Sequence, residues 1–371
     1  MKIALVHDWL TGMRGGEKCL EIFAELFPEA PLFTLVHDPG SVSEIIENRK
    51  IITSYLQNIT GIKNYYRHFL PFLPAAMQTF DTSEYDLIIS SSHCVAKMIQ
   101  KKSTTRHWCY IFTPMRYVWE LFDEYFGDKC SFPVRTAAKI VAPYLRAKDV
   151  STSSNVDQYI SISSFIADRV KKHYGRDSEI IYPPVSLQRF QVQEQVEDWD
   201  LVVSAFAPYK RIDLAIEASN KLNRPLKIIG NGQMQEQLKK MAGPQVTFLG
   251  WLSDKEIADH MARCRTFVFP GLEDFGITPV EAQASGRPVV AYGAGGALET
   301  VRGLDAQKPS GVFFKEQNVD LLCEALQKAD EVDWDSSMIV EEVQKFSRER
   351  FVREVKQSLR IFSDGQLFSE S

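Results

Sequence analysis

The chain has 371 residues, 44% hydrophobic and 25% charged, with a formal net charge of −5, an ordinary soluble composition that is long for a single core. Residues 1–190 carry 22 Lys+Arg against 20 Asp+Glu and residues 191–371 carry 21 against 28, which excludes a strong nucleic-acid footprint. No run approaches the roughly 18 apolar residues of a membrane-spanning helix. The six cysteines (Cys19, Cys94, Cys109, Cys130, Cys264, Cys323) have no metal-binding spacing and read as reduced, mostly buried cytosolic thiols.

In chain order, MKIALVHDWL opens as a strand, polar too soon for a signal peptide. The amphipathic GEKCLEIFAELF follows as a helix. YDLIISSS, HWCYIFT and QYISIS read as strands, SSFIADRVKKHYG as a helix, and SEIIYPP as a further strand. Residues 191–200, QVQEQVEDWD, are polar and without period, and form the predicted join. Beyond them the strands DLVVSAF, LKIIGNG, VTFLGW, TFVFP and PVVAYG alternate with the helices IDLAIEASNKL, DKEIADHMARC and VDLLCEALQKA. Two such series predict an α/β protein of two doubly wound, Rossmann-like domains, each binding at the carboxyl ends of its strands. The final VEEVQKFSRERFVREVKQSLRIF has helical spacing, and either caps the second domain or crosses back to the first. The expected domains are residues 1–190, residues 191–345, and a helix and tail at 346–371 that packs toward the first.

The stretch GLEDFGITPVEA holds two carboxylates, Glu273 and Glu281. Thr278-Pro279-Val280-Glu281 reads as a capping box, with Thr278 at the N-cap and Pro279 at the first helical position. Glu281 therefore has a structural explanation and Glu273, on the preceding loop, has none. Gly276 lets backbone approach a ligand, and the helix start favours an anion. Lys210 and Arg211 lie at a strand end in PYKR, as phosphate ligands or a solvated helix start. Gly15 and Gly16 mark the first turn between strand and helix. His7 and Asp8 end the first strand, as groups facing a ligand or as a packed histidine and a capping aspartate. His93, Thr113, Arg116 and Tyr117 are polar groups at two further strand ends.

EDFGITPVEAQASGRPVVA, with its E-x7-E spacing, FG pair and EA-x-A-x-G-x-PV continuation, resembles the signature of retaining glycosyltransferases of family 4. The likeness continues through HDWLTGMRGGEK, FTPMRYVWE, IIYPPV, SAFAPYKRIDLAIEA, IIGNG, FLGWLSD and AYGAGGALETV, and is nearest the O-antigen and exopolysaccharide mannosyltransferase-like branch. It implies the GT-B fold, two Rossmann-like domains facing a central cleft. It implies that Glu273 faces the donor sugar, that Glu281 bonds the nucleoside ribose, and that Phe275, Gly276, Ile277 and Thr278 cradle sugar and phosphate. Lys210 would bind the donor phosphate, with Gly15 and Gly16 near the diphosphate and Asp8, His93 and Arg116 on the acceptor side. Two positions depart from the pattern: the usual arginine falls on Ala205, for which Arg211 would substitute, and a frequent histidine falls on Phe112.

The implied reaction is retaining, metal-independent hexosyl transfer in surface-polysaccharide synthesis, by front-face attack. The donor is a nucleotide-sugar, GDP-mannose ahead of UDP-hexose, with no further cofactor; the acceptor is a glycan or polyprenyl-linked oligosaccharide. Residues 61–80 mix Lys63, Arg67 and His68 with Tyr65, Tyr66, Phe69 and Phe72. That suits either a membrane-facing segment or a helix with core aromatics. The expected location is the cytoplasm, at the inner face of the plasma membrane if that segment touches lipid. Rival readings are a nucleotide-sugar epimerase and a non-catalytic nucleotide-binding scaffold.

Overall fold

The computed structural model describes residues 1–120, 122–123 and 132–368; Cys130 and the last three residues of the expected tail lie outside them. The described chain divides into two compact units, Met1–Pro184 with Phe351–Ser371, and Val185–Arg350.

The first unit contains a seven-stranded sheet: β1 (Ile3–His7), β2 (Leu32–Thr34), β3 (Ile51–Thr53), β4 (Leu87–Ser92), β5 (Arg106–Ile111), β6 (Gln158–Ser161) and β7 (Ser178–Ile180). Its order is β3-β2-β1-β4-β5-β6-β7, and its pairings are parallel. Leu5 of β1 lies opposite Leu32 on one side and Ile89 on the other. Ala4, Leu5 and Val6 are all fully buried, as expected for a strand covered on both faces. The helix Gly15–Leu26 turns Cys19, Leu20, Ile22, Phe23 and Ala24 inward.

The helix Arg348–Phe362, from Phe351 onward, completes this unit. Phe351, Val355 and Leu359 recur every four residues and are fully buried, one apolar stripe of a helix. The Phe351 ring lies 5.9 Å from Phe23 and 5.5 Å from Tyr110, and Trp108 Nε1 donates to Ser358 Oγ at 3.2 Å. The helical run predicted from VEEVQ onward is interrupted: a 3-10 turn at Val343–Phe346 ends in extended backbone at Ser347, and the helix restarts at Arg348.

The second unit holds β8 (Asp200–Val203), β9 (Leu226–Ile229), β10 (Val246–Gly250), β11 (Phe267–Phe269), β12 (Val289–Tyr292) and β13 (Gly311–Phe314), in the order β10-β9-β8-β11-β12-β13, also parallel. Three helices pack with them, Ile212–Leu222, Asp254–Arg263 and Val319–Asp330. In the second of these Ser253 and Glu256 form a reciprocal capping box.

Candidate active site

In each sheet the chain order reverses once, and at that point the loops from two neighbouring strands diverge and leave a crevice beyond their carboxyl ends. In the second unit the reversal lies between β8 and β11. The loop after β8 turns through Pro208–Lys210. The loop after β11 begins at Gly271, where an added Cβ would stand 2.9 Å from Lys210 Cα and 3.0 Å from the Tyr209 carbonyl. The absence of a side chain is what lets the two loops touch. Across that contact Lys210 Nζ pairs with the Glu273 carboxylate, 63 positions away, both side chains being partly buried. The Glu273 carbonyl accepts the Gly296 N–H at 2.9 Å, tying this loop to the one after β12.

The capping box expected at Thr278–Glu281 is not formed. The N-cap is Gly276, at φ 93°, and the helix runs Ile277–Ala284. A left-handed residue closes the loop more sharply than threonine can, so the helix begins before Thr278, and Pro279 is its third residue. The first-turn N–H groups of Ile277 and Thr278 have no partner within the helix. Phe275 is buried, its ring edge-on to Phe346, so this residue can meet a ligand only through its backbone.

Glu281 is freed from capping but is buried, and its Oε1 accepts from Arg189 Nη2 at 3.1 Å. Arg189 also pairs with Asp254. Nothing local in SLQRF signalled this residue, because its partner lies 92 positions further on. Arg211, at φ 51°, gives its guanidinium to both oxygens of Asp213 at 3.1–3.2 Å and to Gln317 at 3.4 Å. A carboxylate two residues away thus takes up the charge expected to replace an arginine at Ala205. Of the two adjacent basic residues, it is Lys210 that meets Glu273.

In the first unit the reversal lies between β1 and β4. Asp8, just after β1, is fully buried. Its carboxylate accepts the backbone N–H groups of His93, Cys94, Val95 and Ala96 at 2.7, 3.1, 2.6 and 2.7 Å. The expectation that Asp8 faces an acceptor is corrected: it fastens the loop after β4, as a capping aspartate does. His93 Nδ1 lies 3.1 Å from Asp8, its side chain is a quarter exposed, and Trp9 stands edge-on to its ring. Burial holds the His93 pKa below the usual range, against the opposing pull of Asp8; His7 and Arg116 act with burial and Glu17 against it.

His7 shares a 2.7 Å hydrogen bond with Ser91 Oγ and lies 3.7 Å from Glu17. Burial raises the Glu17 pKa, but the proximity of His7, and after it of His93, outweighs burial and holds the carboxyl below its ordinary value. Gly15 and Gly16 form the first turn of the helix Gly15–Leu26, and a methyl on Gly16 would touch the Phe112 ring at 3.4 Å. Thr113 Oγ1 is buried without a hydrogen-bond partner. Among the described residues no three His, Cys, Asp or Glu side chains gather as metal ligands.

Residues 188–345 match the family model of glycosyl transferases group 1. The chain is 24% identical over 217 residues to O-antigen chain mannosyltransferase C of Escherichia coli, covering 53% of this chain and 56% of that protein. It is 30% identical over 197 residues to a GDP-mannose-dependent alpha-(1-6)-phosphatidylinositol monomannoside mannosyltransferase of Mycobacterium tuberculosis, covering 44% and 50%. The chain thus spans about half the length of the curated relatives it matches. Its fold is similar to that of sucrose-phosphate synthase from Thermosynechococcus elongatus, with a TM-score of 0.71 at 16% identity over 99% of this chain and 100% of the other. The two parallel sheets are those of the GT-B class.

Proposed function

We propose, from the match of residues 188–345 to the family model of glycosyl transferases group 1, that the chain transfers a hexose from a nucleotide-sugar to a glycan or lipid-linked glycan, with retention and without a metal ion. Mannose from GDP-mannose is the favoured donor group, and surface-polysaccharide assembly the favoured setting, because the relatives named above are mannosyltransferases.

The observation that carries this reading is the contact between Lys210 and Glu273 beside the start of the helix Ile277–Ala284. Departure of a nucleoside diphosphate builds negative charge on its phosphate, while the sugar carbon becomes oxocarbenium-like. Lys210 and the N–H groups of Ile277 and Thr278 offer positive potential for the phosphate. Glu273 offers a carboxylate for the sugar hydroxyls and the developing positive carbon. Without donor each of this pair neutralises the other, so donor binding exchanges the ion pair for Lys210–phosphate and Glu273–sugar contacts. A phosphate oxygen then takes the proton of the attacking acceptor hydroxyl on the same face, as the carbon–oxygen bond to the leaving phosphate breaks. Glu281, held by Arg189, would accept from ribose hydroxyls. In the first unit His93 and Arg116 remain the candidates for meeting the acceptor.

The test is donor hydrolysis with a thermal-shift panel of GDP, UDP and their sugars. We expect GDP to raise the melting temperature, since a ligand bound only to the native state stabilises it. We also expect slow GDP-mannose hydrolysis that Glu273→Ala abolishes while the GDP shift remains. A shift with UDP and none with GDP would refute the mannose assignment, and no turnover of any donor would refute the enzyme.

A further inference from the structure

Glu281 lies within the helix Ile277–Ala284 and is buried. A carboxylate taken out of water keeps its charge at low cost only beside a cation or several donors. Arg189 supplies the cation, its Nη2 donating to Glu281 Oε1 at 3.1 Å. The same guanidinium pairs through Nη1 with Asp254, but the two carboxylates differ in their surroundings. The Glu281 side chain is 8% exposed and that of Asp254 is 75% exposed. Water screens the pair with Asp254 and leaves the pair with Glu281 much of its strength.

Arg189 is itself held in place. It ends the 3-10 turn Leu187–Arg189, between the buried side chains of Leu187 and Phe190. Its guanidinium carbon stands 4.9 Å from the centre of the Phe190 ring. Asp254 opens the helix Asp254–Arg263, whose cap Ser253 is locked to Glu256 at 2.6 Å. The planar fork thus reaches one helix through each terminal nitrogen. A lysine, with one compact charge, holds no direction at two carboxylates together.

We propose that Arg189 is a positioning residue for the nucleotide. It sets the direction of the Glu281 carboxylate, so the preference of the second unit for a ribose that carries its hydroxyls depends on it. The inference rests on the reading that Glu281 meets the ribose, and makes that contact conditional on a residue 92 positions earlier in the chain. A tie that only stabilises the fold would weaken every nucleotide alike; a positioning role weakens only those with ribose hydroxyls.

Calorimetric titration of the full chain with GDP and with dideoxy-GDP, which lacks both ribose hydroxyls, reads this; the uridine pair is used if UDP is the nucleotide that binds. A hydrogen bond to a charged group is worth about 10–100-fold in affinity, so the wild type should prefer the hydroxylated nucleotide by about that factor. Glu281→Ala should lose the preference. Arg189→Gln should cut it to under about threefold by weakening GDP alone, with dideoxy-GDP affinity and circular dichroism unchanged. The double variant should lose nothing more, since the two residues act as one. Arg189→Lys, which keeps the charge without the fork, should fall between, and it replaces Arg189→Gln if that variant unfolds. A preference retained in Glu281→Ala, or missing from the wild type, would refute the ribose reading and the inference with it. A preference lost in Glu281→Ala but kept in Arg189→Gln would overturn the inference alone, as would equal weakening of both nucleotides by Arg189→Gln.

Discussion

Replacing Asp8 with alanine takes one shared acceptor away from four backbone N–H groups. His93 is partly exposed and its N–H can turn to water, but Cys94, Val95 and Ala96 are at most 1% exposed. Three buried donors are then orphaned, at about 1–3 kcal/mol each. Relaxation of the loop after β4 recovers part of the loss, so we expect about 4 kcal/mol. The first unit has about 200 residues; at about 2.1 cal/mol/K per residue its unfolding entropy is about 0.4 kcal/mol/K. The predicted fall in its melting temperature is therefore about 10 °C. Differential scanning calorimetry reads this directly, with the transition of the second unit as internal reference. Asp8→Asn keeps one acceptor oxygen and should fall between wild type and alanine. A first-unit transition within about 2 °C of wild type in Asp8→Ala would refute the claim that this carboxylate fastens the loop.

Three further outcomes follow from the described contacts. Lys210→Ala should lower kcat for donor turnover by about 10²–10³, the loss seen when one preorganised group facing a developing anion is removed; a change under about fivefold would place the lysine outside the phosphate site. Burial pushes the His107 pKa from 6.5 down to about 3, so between these values the unfolded chain binds a proton that the folded one refuses. Stability is thus present above pH 6.5 and lost as pH falls toward about 3, with His93 acting in the same direction. Urea unfolding at pH 7, 5.5 and 4.5 should show a shallower loss in His107→Gln than in wild type, and equal slopes would refute this. Phe351→Ala should cost the first unit about 3–5 kcal/mol, lowering its calorimetric transition and leaving that of the second unit in place.

Most of the fold was legible because long β-branched runs and amphipathic runs alternate, and each predicted strand recurs as one. The strands missed are β2, β3 and β13. The helix Phe132–Ser151 was missed too, since Pro143 and scattered cations blur its period. At the site, Lys210 and Glu273 could be named because both follow a predicted strand, Lys210 in the basic pair of PYKR and Glu273 on a glycine-containing loop, and because the family resemblance covers both. Their pairing could not, since it depends on Gly271 letting two distant loops touch. Thr278 was misplaced as a cap because backbone at positive φ is invisible in a composition rule that prizes hydroxyls. Arg189 and the four-fold grip of Asp8 arise from partners about 90 positions away, beyond any local pattern.

The helix Arg348–Phe362 has a consequence for the order in which the protein is made. Its buried stripe belongs with Phe23, Trp108 and Tyr110, yet it is translated after every residue of the second unit. On the ribosome the first sheet emerges early but must wait, with that apolar face uncovered, through the synthesis of Val185–Arg350. The later-made unit has all its strands in hand and can fold first. The amino-terminal half is thus the last to be finished, and during that interval it is the half a chaperone or protease would meet.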